Sequence, residues 1–345
     1  MLGTVLLQVV STIHKVQPMI KIGIIGYGYW VKAAYLPALK RDGRASIVAL
    51  SARSESTLKL IKENFGNTVD IVPDFRDLLK SANIDALMIA VPDSLHAELI
   101  SAAIDSGKAV FYEPPIAHTR KLVPDIIRKL IAAPQITHAD LELALVPTVT
   151  QSALFIKQKL IGNIQSASIQ LHSNWGPEPD QDINNIHRLS VWYVHVLNVL
   201  LNATPKRVLV LDGYGTPGRR QSQSMGFYDY DGIWGSFKVN IDSAEALAIQ
   251  IEITGSEGEI LINLLTGELK WRTKTNRNWE IKSFPALQPY ADWPGMHESI
   301  SAFLDAVESK KPSYANAEVV AKLHVIGMAA EESKDTGQWA EVKEF

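Results

Sequence analysis

Two closely spaced glycines form the most informative motif of the sequence. Gly26 and Gly28 lie between an apolar run at 20–25 and a segment at 31–41 with helical periodicity. In such a strand–turn–helix, the first glycine permits the tight turn. The second lets the backbone approach a pyrophosphate at the helix N-terminus. Val31 occupies the third glycine position, so we expect looser packing of the helix on the strand. The pattern predicts a dinucleotide-binding loop, with a ligand-free turn as the alternative.

The end of the second predicted strand bears on which dinucleotide binds. An NAD enzyme usually carries an acidic residue there, which holds the ribose 2′-hydroxyl. Here the strand at 46–50 is followed by Ser51, Ala52, Arg53 and Ser54, with no acid. An arginine can pair with a 2′-phosphate, and small hydroxyl residues leave room for it. We therefore predict NADP as the cofactor. NAD is the alternative if Arg53 is only a solvated residue at the start of the next helix.

Two further strand ends are expected at the same edge, because parallel sheets bind ligands at the carboxyl ends of their strands. The residues concerned are Val91, Pro92 and His96 after the strand predicted at 85–91, and Glu113 and Pro114 after the strand at 109–112. We expect these residues, with Tyr29 and Trp30 of the glycine loop, to contact the cofactor. Glu113 is also a candidate catalytic group. The alternatives are a capping role for His96 and a structural hydrogen bond for Glu113.

A histidine on the helix predicted at 186–201 is a second candidate catalytic group. His195 shares a helix face with His187 and Val191, which precede it at four-residue spacing. Histidine titrates near neutral pH, so His195 could transfer a proton if this face lines a cleft. The alternative is a buried histidine with a structural hydrogen bond.

Three potential metal ligands alternate along the chain as His138, Asp140 and Glu142. On a strand this spacing puts all three side chains on one face. No further ligand is evident nearby, so we expect no metal.

The elements that must position these residues fall into two parts. Residues 19–142 alternate apolar strands with helices, which predicts a Rossmann-type α/β domain: a doubly wound parallel sheet. Residues 143–345 contain many strands separated by turn residues, which predicts an α+β domain with an open, mostly antiparallel sheet. Residues 1–13 are uncharged and mostly apolar, with no preceding basic residue and no cleavage signal before His14 and Lys15, and we interpret residues 1–18 as an N-terminal extension.

Composition narrows the possible functions. The chain has 345 residues, 46% of them hydrophobic, and a formal net charge of −3. Basic residues form no block, so we expect no nucleic acid partner. No apolar run is long enough to predict a membrane span. The absence of cysteine excludes disulfides and thiolate metal ligands, and it fits a cytoplasmic location.

Three segments at 22–39, 90–98 and 107–115 together resemble the glucose–fructose oxidoreductase/inositol dehydrogenase (Gfo/Idh/MocA) family. The segment Gly255-Ser256-Glu257-Gly258 is similar to a turn of the family's C-terminal sheet. The resemblance implies NAD(P)-linked hydride transfer on a sugar, a cyclitol or a related hydroxyl or carbonyl compound. It also implies homo-oligomers formed through the C-terminal sheet.

The sequence departs from this family at two motifs. The family carries Glu-Lys-Pro after the fifth strand, and its lysine exchanges the proton at the reacting oxygen. The corresponding residues here are Glu113, Pro114 and Pro115, and proline has no titratable group. The family's second motif, Asp then His then Asp, corresponds to Val191, His195 and Asn198, so only the histidine remains.

These departures leave three functional hypotheses. We favour an NADP-dependent oxidoreductase for a small carbonyl, hydroxyl or conjugated substrate, with His195 as the proton-transfer group. A catalytically silent protein that senses NAD(P) or a small ligand is the first alternative. The fold is used in this way by the yeast galactose repressor. A reductase resembling biliverdin reductase, a branch that also lacks the lysine, is the second.

Overall fold

The computed structural model describes residues 19–176, 183–213, 222–288 and 293–344. The strands of its first part are β1 (Ile20–Ile25), β2 (Ala45–Ser51), β3 (Asp70–Val72), β4 (Ala86–Ile89), β5 (Ala109–Tyr112) and β6 (Thr137–Ala139). They form a six-stranded parallel sheet in the order β3-β2-β1-β4-β5-β6. Because the strand order reverses between β1 and β4, the connections leave a crevice at the carboxyl ends of these strands.

Helices connect the strands of this sheet. They are α1 (Leu36–Asp42), α2 (Glu55–Phe65), α3 (Phe75–Lys80), α4 (His96–Asp105) and α5 (Val123–Ala132). Ser54 and Asp74 cap α2 and α3 by accepting hydrogen bonds from the backbone N–H groups of Thr57 and Arg76. The sequence interpretation did not contain α5.

The helix after the glycine loop begins with an irregular turn. Residues Val31–Tyr35 are π-helical, and the chain continues directly into α1. Val31, at the third glycine position, is fully buried in the core of the first sheet. The wide turn also buries Tyr35, whose ring packs edge-on against Phe111 of β5. The π-helical turn therefore places the Tyr35 hydroxyl close to the carboxyl end of β5.

The second part of the chain forms a larger sheet. Its strands are β7 (Ile164–Ser173), β8 (Arg207–Gly213), β9 (Gln223–Asp229), β10 (Trp234–Asn240), β11 (Leu247–Gly255), β12 (Gly258–Asn263), β13 (Glu268–Thr273), β14 (Glu280–Ser283) and β15 (Ala340–Glu341). The nine strands follow the order β14-β13-β12-β11-β7-β10-β9-β8-β15. All paired neighbours are antiparallel except β7 and β10. The predicted fold class is therefore confirmed.

Four further helices accompany this sheet: α6 (Pro147–Lys157), α7 (Asn185–Leu201), α8 (Met296–Ser309) and α9 (Ala317–Thr336). Strand β11 alternates buried Ile249, Ile251 and Ile253 with exposed Gln250 and Glu252. This period of two is typical of a sheet with one face buried and the other open.

Helix α8 returns to the first sheet although it lies late in the chain. It packs against α1, and its Ile300 and Phe303 share a hydrophobic core with Ile22 and Ile24 of β1. Helix α9 contacts the loop after β5, where His324 Nε2 accepts a hydrogen bond from the backbone N–H of Ile116 at 3.4 Å. Helix α9 thus helps to hold this loop in place. The predicted domain boundary after residue 142 stays a prediction.

One sequence prediction falls on a segment that the structure does not describe. The interpretation of residues 1–18 as an extension lies outside the described residues. Within the described ranges, none of the helices combines the length and the apolar character that a membrane crossing requires.

Candidate cofactor and substrate site

A cavity of about 980 Å³ opens at the carboxyl ends of β1, β2, β4 and β5. Its lining includes every residue predicted to contact the cofactor: Gly26, Gly28, Tyr29, Trp30, Ser51, Arg53, Ser54, Val91, Pro92, His96, Glu113 and Pro114. The structure therefore brings together residues that four separate strand ends contribute. Their individual roles at a cofactor stay predictions.

The two glycines of the loop differ in what surrounds them. Gly26 has a φ of +99°, and a Cβ added there would lie 2.0 Å from the carbonyl oxygen of Ala90. No other residue type fits this turn without moving the backbone. A Cβ added to Gly28 would meet nothing within 4 Å, so the space above Gly28 is open to the cavity. The loop therefore offers the close backbone approach that a dinucleotide pyrophosphate needs.

The end of the cavity beside β2 contains cationic side chains. Arg53 is exposed and, within the described part of the chain, forms no salt bridge. Arg76 also lines the cavity, but it pairs with Asp74 at 3.3 Å and Glu98 at 3.4 Å. The hydroxyl of Ser54 is already engaged as the cap of α2. Arg53 is thus the cation available to an anionic ligand at this end.

His96 fixes two of the strand-end loops relative to each other. It is buried, and its Nδ1 and Nε2 atoms lie 2.6 Å and 2.8 Å from the carbonyl oxygens of Pro115 and Val91. The peptide bond between Pro114 and Pro115 is cis. His96 therefore holds the loops after β4 and β5 at a fixed separation along the cavity wall.

Helix α7 supplies the opposite wall of the cavity. Arg188 and Trp192, one turn apart on this helix, line the cavity. Arg188 Nε lies 2.6 Å from Asp93 Oδ2, which joins α7 to the loop after β4 across the cleft. Both side chains of this ion pair are mostly buried, so the pair is better shielded from water than a surface salt bridge.

Glu113 lies at the carboxyl end of β5, where its side chain faces the cavity. The Tyr35 hydroxyl donates a hydrogen bond to Glu113 Oε1 at 2.5 Å. Burial, together with the nearby carboxyl groups of Asp140 and Glu142, raises the pKa of Glu113 well above its usual value. The hydrogen bond from Tyr35 acts in the opposite direction. The net effect is a raised pKa, which favours the protonated form of Glu113.

His195 lies on α7 but does not belong to the cavity lining. Burial lowers its pKa to about 4, so the ring is neutral at pH 7. From the sequence, proton transfer by His195 depends on whether the face of His187, Val191 and His195 lines the cleft. In the structure the lining residues Arg188 and Trp192 project from a neighbouring face, because successive helical residues are about 100° apart. A role of His195 in proton transfer stays a prediction.

The strand that the sequence predicts through His138, Asp140 and Glu142 is wrong, because β6 ends at Ala139 and Glu142 begins a short 3₁₀ turn. His138 and Asp140 meet through Ser299, whose hydroxyl lies 3.2 Å from His138 Nε2 and donates a hydrogen bond to Asp140 Oδ1 at 3.1 Å. Among the described residues, no group of three or more His, Cys, Asp and Glu has a geometry that could hold a metal ion.

Several residues of this site could not be recognised from the sequence. Trp192, Tyr35 and Arg188 belong to no recognisable motif. The one available signal for Trp192 is its spacing of four residues after Arg188, which puts both on one helix face.

The parallel sheet and its glycine loop define a Rossmann-type domain, and comparison with known proteins agrees. Residues 20–136 match the model of the Gfo/Idh/MocA family, described as an oxidoreductase family with an NAD-binding Rossmann fold. The family model thus covers the parallel sheet and its glycine loop and ends before the second sheet begins.

Individual relatives extend this comparison. The chain is 28% identical over 171 residues to a dTDP-3,4-didehydro-2,6-dideoxy-α-D-glucose 3-reductase of Streptomyces antibioticus, covering 48% of this chain and 49% of that protein. It is 24% identical over 341 residues to 1,5-anhydro-D-fructose reductase of Ensifer adhaerens, covering 93% and 98%. The first three curated relatives are matched over only 28%, 30% and 49% of their own lengths.

A solved structure supports the fold of the whole described chain. Levoglucosan dehydrogenase in complex with NADH and levoglucosan superimposes with a TM-score of 0.81 at 19% identity. The superposition covers 94% of this chain and all of that one. At this level of identity the likeness concerns the fold.

Proposed function

We propose that the protein is an NADP(H)-dependent oxidoreductase that transfers hydride between nicotinamide and a ring compound bearing carbonyl and hydroxyl groups. The observation that carries the proposal is the cavity of about 980 Å³, in which the glycine loop faces Arg188 and Trp192 of the second domain. Its volume is at the upper end of the range of roughly 300–1,000 Å³ for small-molecule and cofactor sites.

The strand ends are suited to hold the parts of a dinucleotide. The backbone of Gly26 and Gly28 would accept the pyrophosphate, because a side chain is excluded at Gly26 and space is open above Gly28. His96 would keep the loops after β4 and β5 rigid beside the nicotinamide. When bound, the reduced nicotinamide supplies the hydride.

The preference for NADP over NAD rests on Arg53. This arginine lines the cavity, and no acidic residue follows β2 to hold a ribose 2′-hydroxyl. A charge-assisted hydrogen bond to a phosphate contributes about 1.5–3 kcal/mol. We therefore expect Arg53→Ala to weaken NADPH binding about 10- to 100-fold.

Calorimetric titration of wild type, Arg53→Ala and Arg128→Ala with NADPH and NADH tests this preference. Arg128 is an exposed arginine of α5 outside the cavity lining, so its variant controls for loss of one positive charge. NADH binding should change less than about threefold in both variants. Equal affinity of wild type for the two cofactors, unaffected by Arg53→Ala, would contradict the NADP preference.

The substrate class follows from the cavity wall and from the relatives. Trp192 offers an aromatic surface, while Arg188 and Glu113 offer polar groups beside it. This combination suits a ring with an apolar C–H face and several oxygens. Relatives over most of the chain are named for 1,5-anhydro-D-fructose and levoglucosan, both compounds of this class.

A direct assay follows the near-ultraviolet absorbance of reduced nicotinamide. We expect loss of NADPH with 1,5-anhydro-D-fructose, or its formation from NADP⁺ with levoglucosan or myo-inositol. Saturable NADPH binding without turnover of any of these compounds would contradict the enzyme proposal. That result would favour the ligand-sensing alternative, which the proline at the lysine position motivates.

We also propose that the chain forms homo-oligomers through the open face of its second sheet. This face carries uncharged and charged polar side chains at its centre, among them Ser168, Gln170, Gln250 and Glu252. Such an interface would consist mainly of polar side chains and would not resemble a hydrophobic core. Light scattering at micromolar concentration should give a mass that is a multiple of 38.1 kDa. A monomer mass would contradict this part of the proposal.

A further inference from the structure

Arg188 is the charged residue that helix α7 contributes to the cavity wall. Among the described residues, three arginines and no lysine line the cavity. Arg53 and Arg76 lie at its end beside β2. Arg188 instead faces the loop after β4, where its Nε lies 2.6 Å from Asp93 Oδ2. A dinucleotide crosses such a sheet from the end of β2, beside its adenosine half, over β1 towards β4. Arg188 is therefore the arginine that faces the nicotinamide half of the cavity.

The first turn of α7 holds Arg188 in a fixed position. The Oδ1 atom of Asn184 accepts a hydrogen bond from the His187 N–H at 2.7 Å, and its carbonyl oxygen accepts one from the Arg188 N–H at 2.9 Å. His187 is fully buried, and its Nε2 lies 3.3 Å from Nδ1 of His324 in α9. Arg188 thus projects from a helix end that α9 helps to fix, which is the rigid support that a catalytic side chain needs.

The position of Arg188 on its helix is unfavourable for a cation. It is the fourth residue of α7, and the positive end of a helix dipole repels positive charge. Asp93 offsets this cost, since its carboxylate is in contact with the guanidinium group and both side chains are mostly shielded from water. A residue that opposes local stability is typical of a functional site. Helix formation therefore does not account for an arginine here, and its place in the cavity wall offers a reason.

Hydride transfer to a carbonyl carbon requires a positive group near the oxygen, because negative charge develops there. Pro114, at the carboxyl end of β5, has neither a charge nor an N–H group. Arg188 has a permanent positive charge, and its N–H donors form a rigid, planar fork. A preorganised donor aimed at developing charge is usually the largest single contribution to catalysis. Arg188 can therefore supply electrostatically what proline cannot.

We propose that Arg188 is a catalytic residue that stabilises the alkoxide formed from the substrate carbonyl, with Asp93 as its positioning residue. This inference rests on the proposed function. During reduction the carbonyl carbon gains the hydride, and the C=O π electron pair moves to the oxygen, to which the guanidinium group of Arg188 donates hydrogen bonds. The alkoxide then takes a proton from water in the open cavity, which leaves a hydroxide ion. Arg188 keeps its own protons, because a guanidinium group does not deprotonate in proteins. Oxidation follows the reverse course.

The turnover assay with NADPH and 1,5-anhydro-D-fructose tests the role of Arg188. Arg188→Ala should lower kcat about 10²- to 10³-fold, the loss expected when one donor to an oxyanion is removed. Its NADPH affinity should stay within about threefold of wild type in calorimetric titration. Arg207→Ala is the matched control, because Arg207 Nε lies 2.9 Å from Asp229 Oδ2 in a similar ion pair outside the cavity lining. This control should keep the wild-type kcat.

Chemical rescue distinguishes a catalytic charge from a structural ion pair. Guanidinium chloride, at concentrations that leave the chain folded, should raise kcat of Arg188→Ala at least about tenfold, because Asp93 can hold the added ion at the place of the missing side chain. Urea at the same concentrations resembles guanidinium in shape but has no charge, and it should not raise kcat. The double variant Arg188→Ala/Asp93→Asn should not respond to guanidinium, since the carboxylate that holds the ion is then absent.

Each result decides one part of the inference. A kcat of Arg188→Ala within about threefold of wild type, or a loss that guanidinium does not restore, would overturn the catalytic role of Arg188. Rescue by guanidinium that persists in the double variant would overturn the positioning role of Asp93. Either result, with wild type turning over its substrate, would leave the proposed function standing. Absence of turnover by wild type would refute the proposed function and this inference together.

Discussion

Alanine at Gly26 is expected to destabilise the fold itself. The residue has a φ of +99°, a conformation that costs a residue with a Cβ about 1–3 kcal/mol. The added Cβ would also lie 2.0 Å from the carbonyl oxygen of Ala90. That oxygen belongs to the backbone after β4, so relief of the clash must separate β1 from β4 locally. Overpacking of this kind costs about 1–3 kcal/mol more. We expect a loss of about 2–6 kcal/mol in the free energy of unfolding.

Alanine at Gly28 is the contrasting variant on the same loop. Gly28 does not have a positive φ, and an added Cβ would meet no atom within 4 Å. Its methyl group would project into open space where the pyrophosphate is expected. We predict a change of less than about 1 kcal/mol in the free energy of unfolding. NADPH affinity should nevertheless fall at least about tenfold, because the backbone can no longer approach the phosphates.

Urea denaturation of the ligand-free variants, followed by NADPH titration, separates these effects. Gly26→Ala should lower the denaturation midpoint, whereas Gly28→Ala should keep the wild-type midpoint and lose affinity. The reasoning would be refuted if Gly28→Ala bound NADPH as wild type does. It would equally be refuted if Gly26→Ala kept wild-type stability.

Two further predictions concern helices of the second domain. Alanine at Gly327 of α9 would bring its Cβ within 2.0 Å of His187 Cδ2, and we expect a loss of about 1–3 kcal/mol in the free energy of unfolding. Gly213→Ala is the control, since the nearest atom would lie 3.6 Å away; equal midpoints for the two variants in urea would contradict this account. His195→Ala should keep kcat within about threefold of wild type, because His195 lies outside the cavity lining. A kcat loss of a hundredfold or more would restore His195 as the proton-transfer group.

Short apolar runs in the sequence correctly predicted which residues lie at the carboxyl ends of the parallel strands. Gly26, Arg53, Val91 and Glu113 each follow an apolar run, and the topology of a parallel sheet requires such runs to end at one edge. The sequence therefore predicted the wall of the cavity that the first sheet provides. It could not predict the opposite wall, since the contribution of Trp192 depends on how α7 is rotated against the first domain.

The surroundings of Glu113 could not be predicted for a related reason. Tyr35 reaches Glu113 through a π-helical turn, which periodicity does not reveal. The pattern of His138, Asp140 and Glu142 resembles an alternating strand, but β6 ends at Ala139, and Ser299 of α8 joins His138 to Asp140. The positions of these side chains depend on tertiary contacts between segments that are far apart in the sequence.

Calorimetric titration of the full chain with NADPH tests the central claim most directly. The account predicts one NADPH bound per chain, with an affinity at least about tenfold higher than that for NADH. The Gly28→Ala variant should abolish most of this binding without unfolding the chain. Absence of saturable NADPH binding by the folded wild-type protein would contradict the assignment of the cavity as a cofactor site.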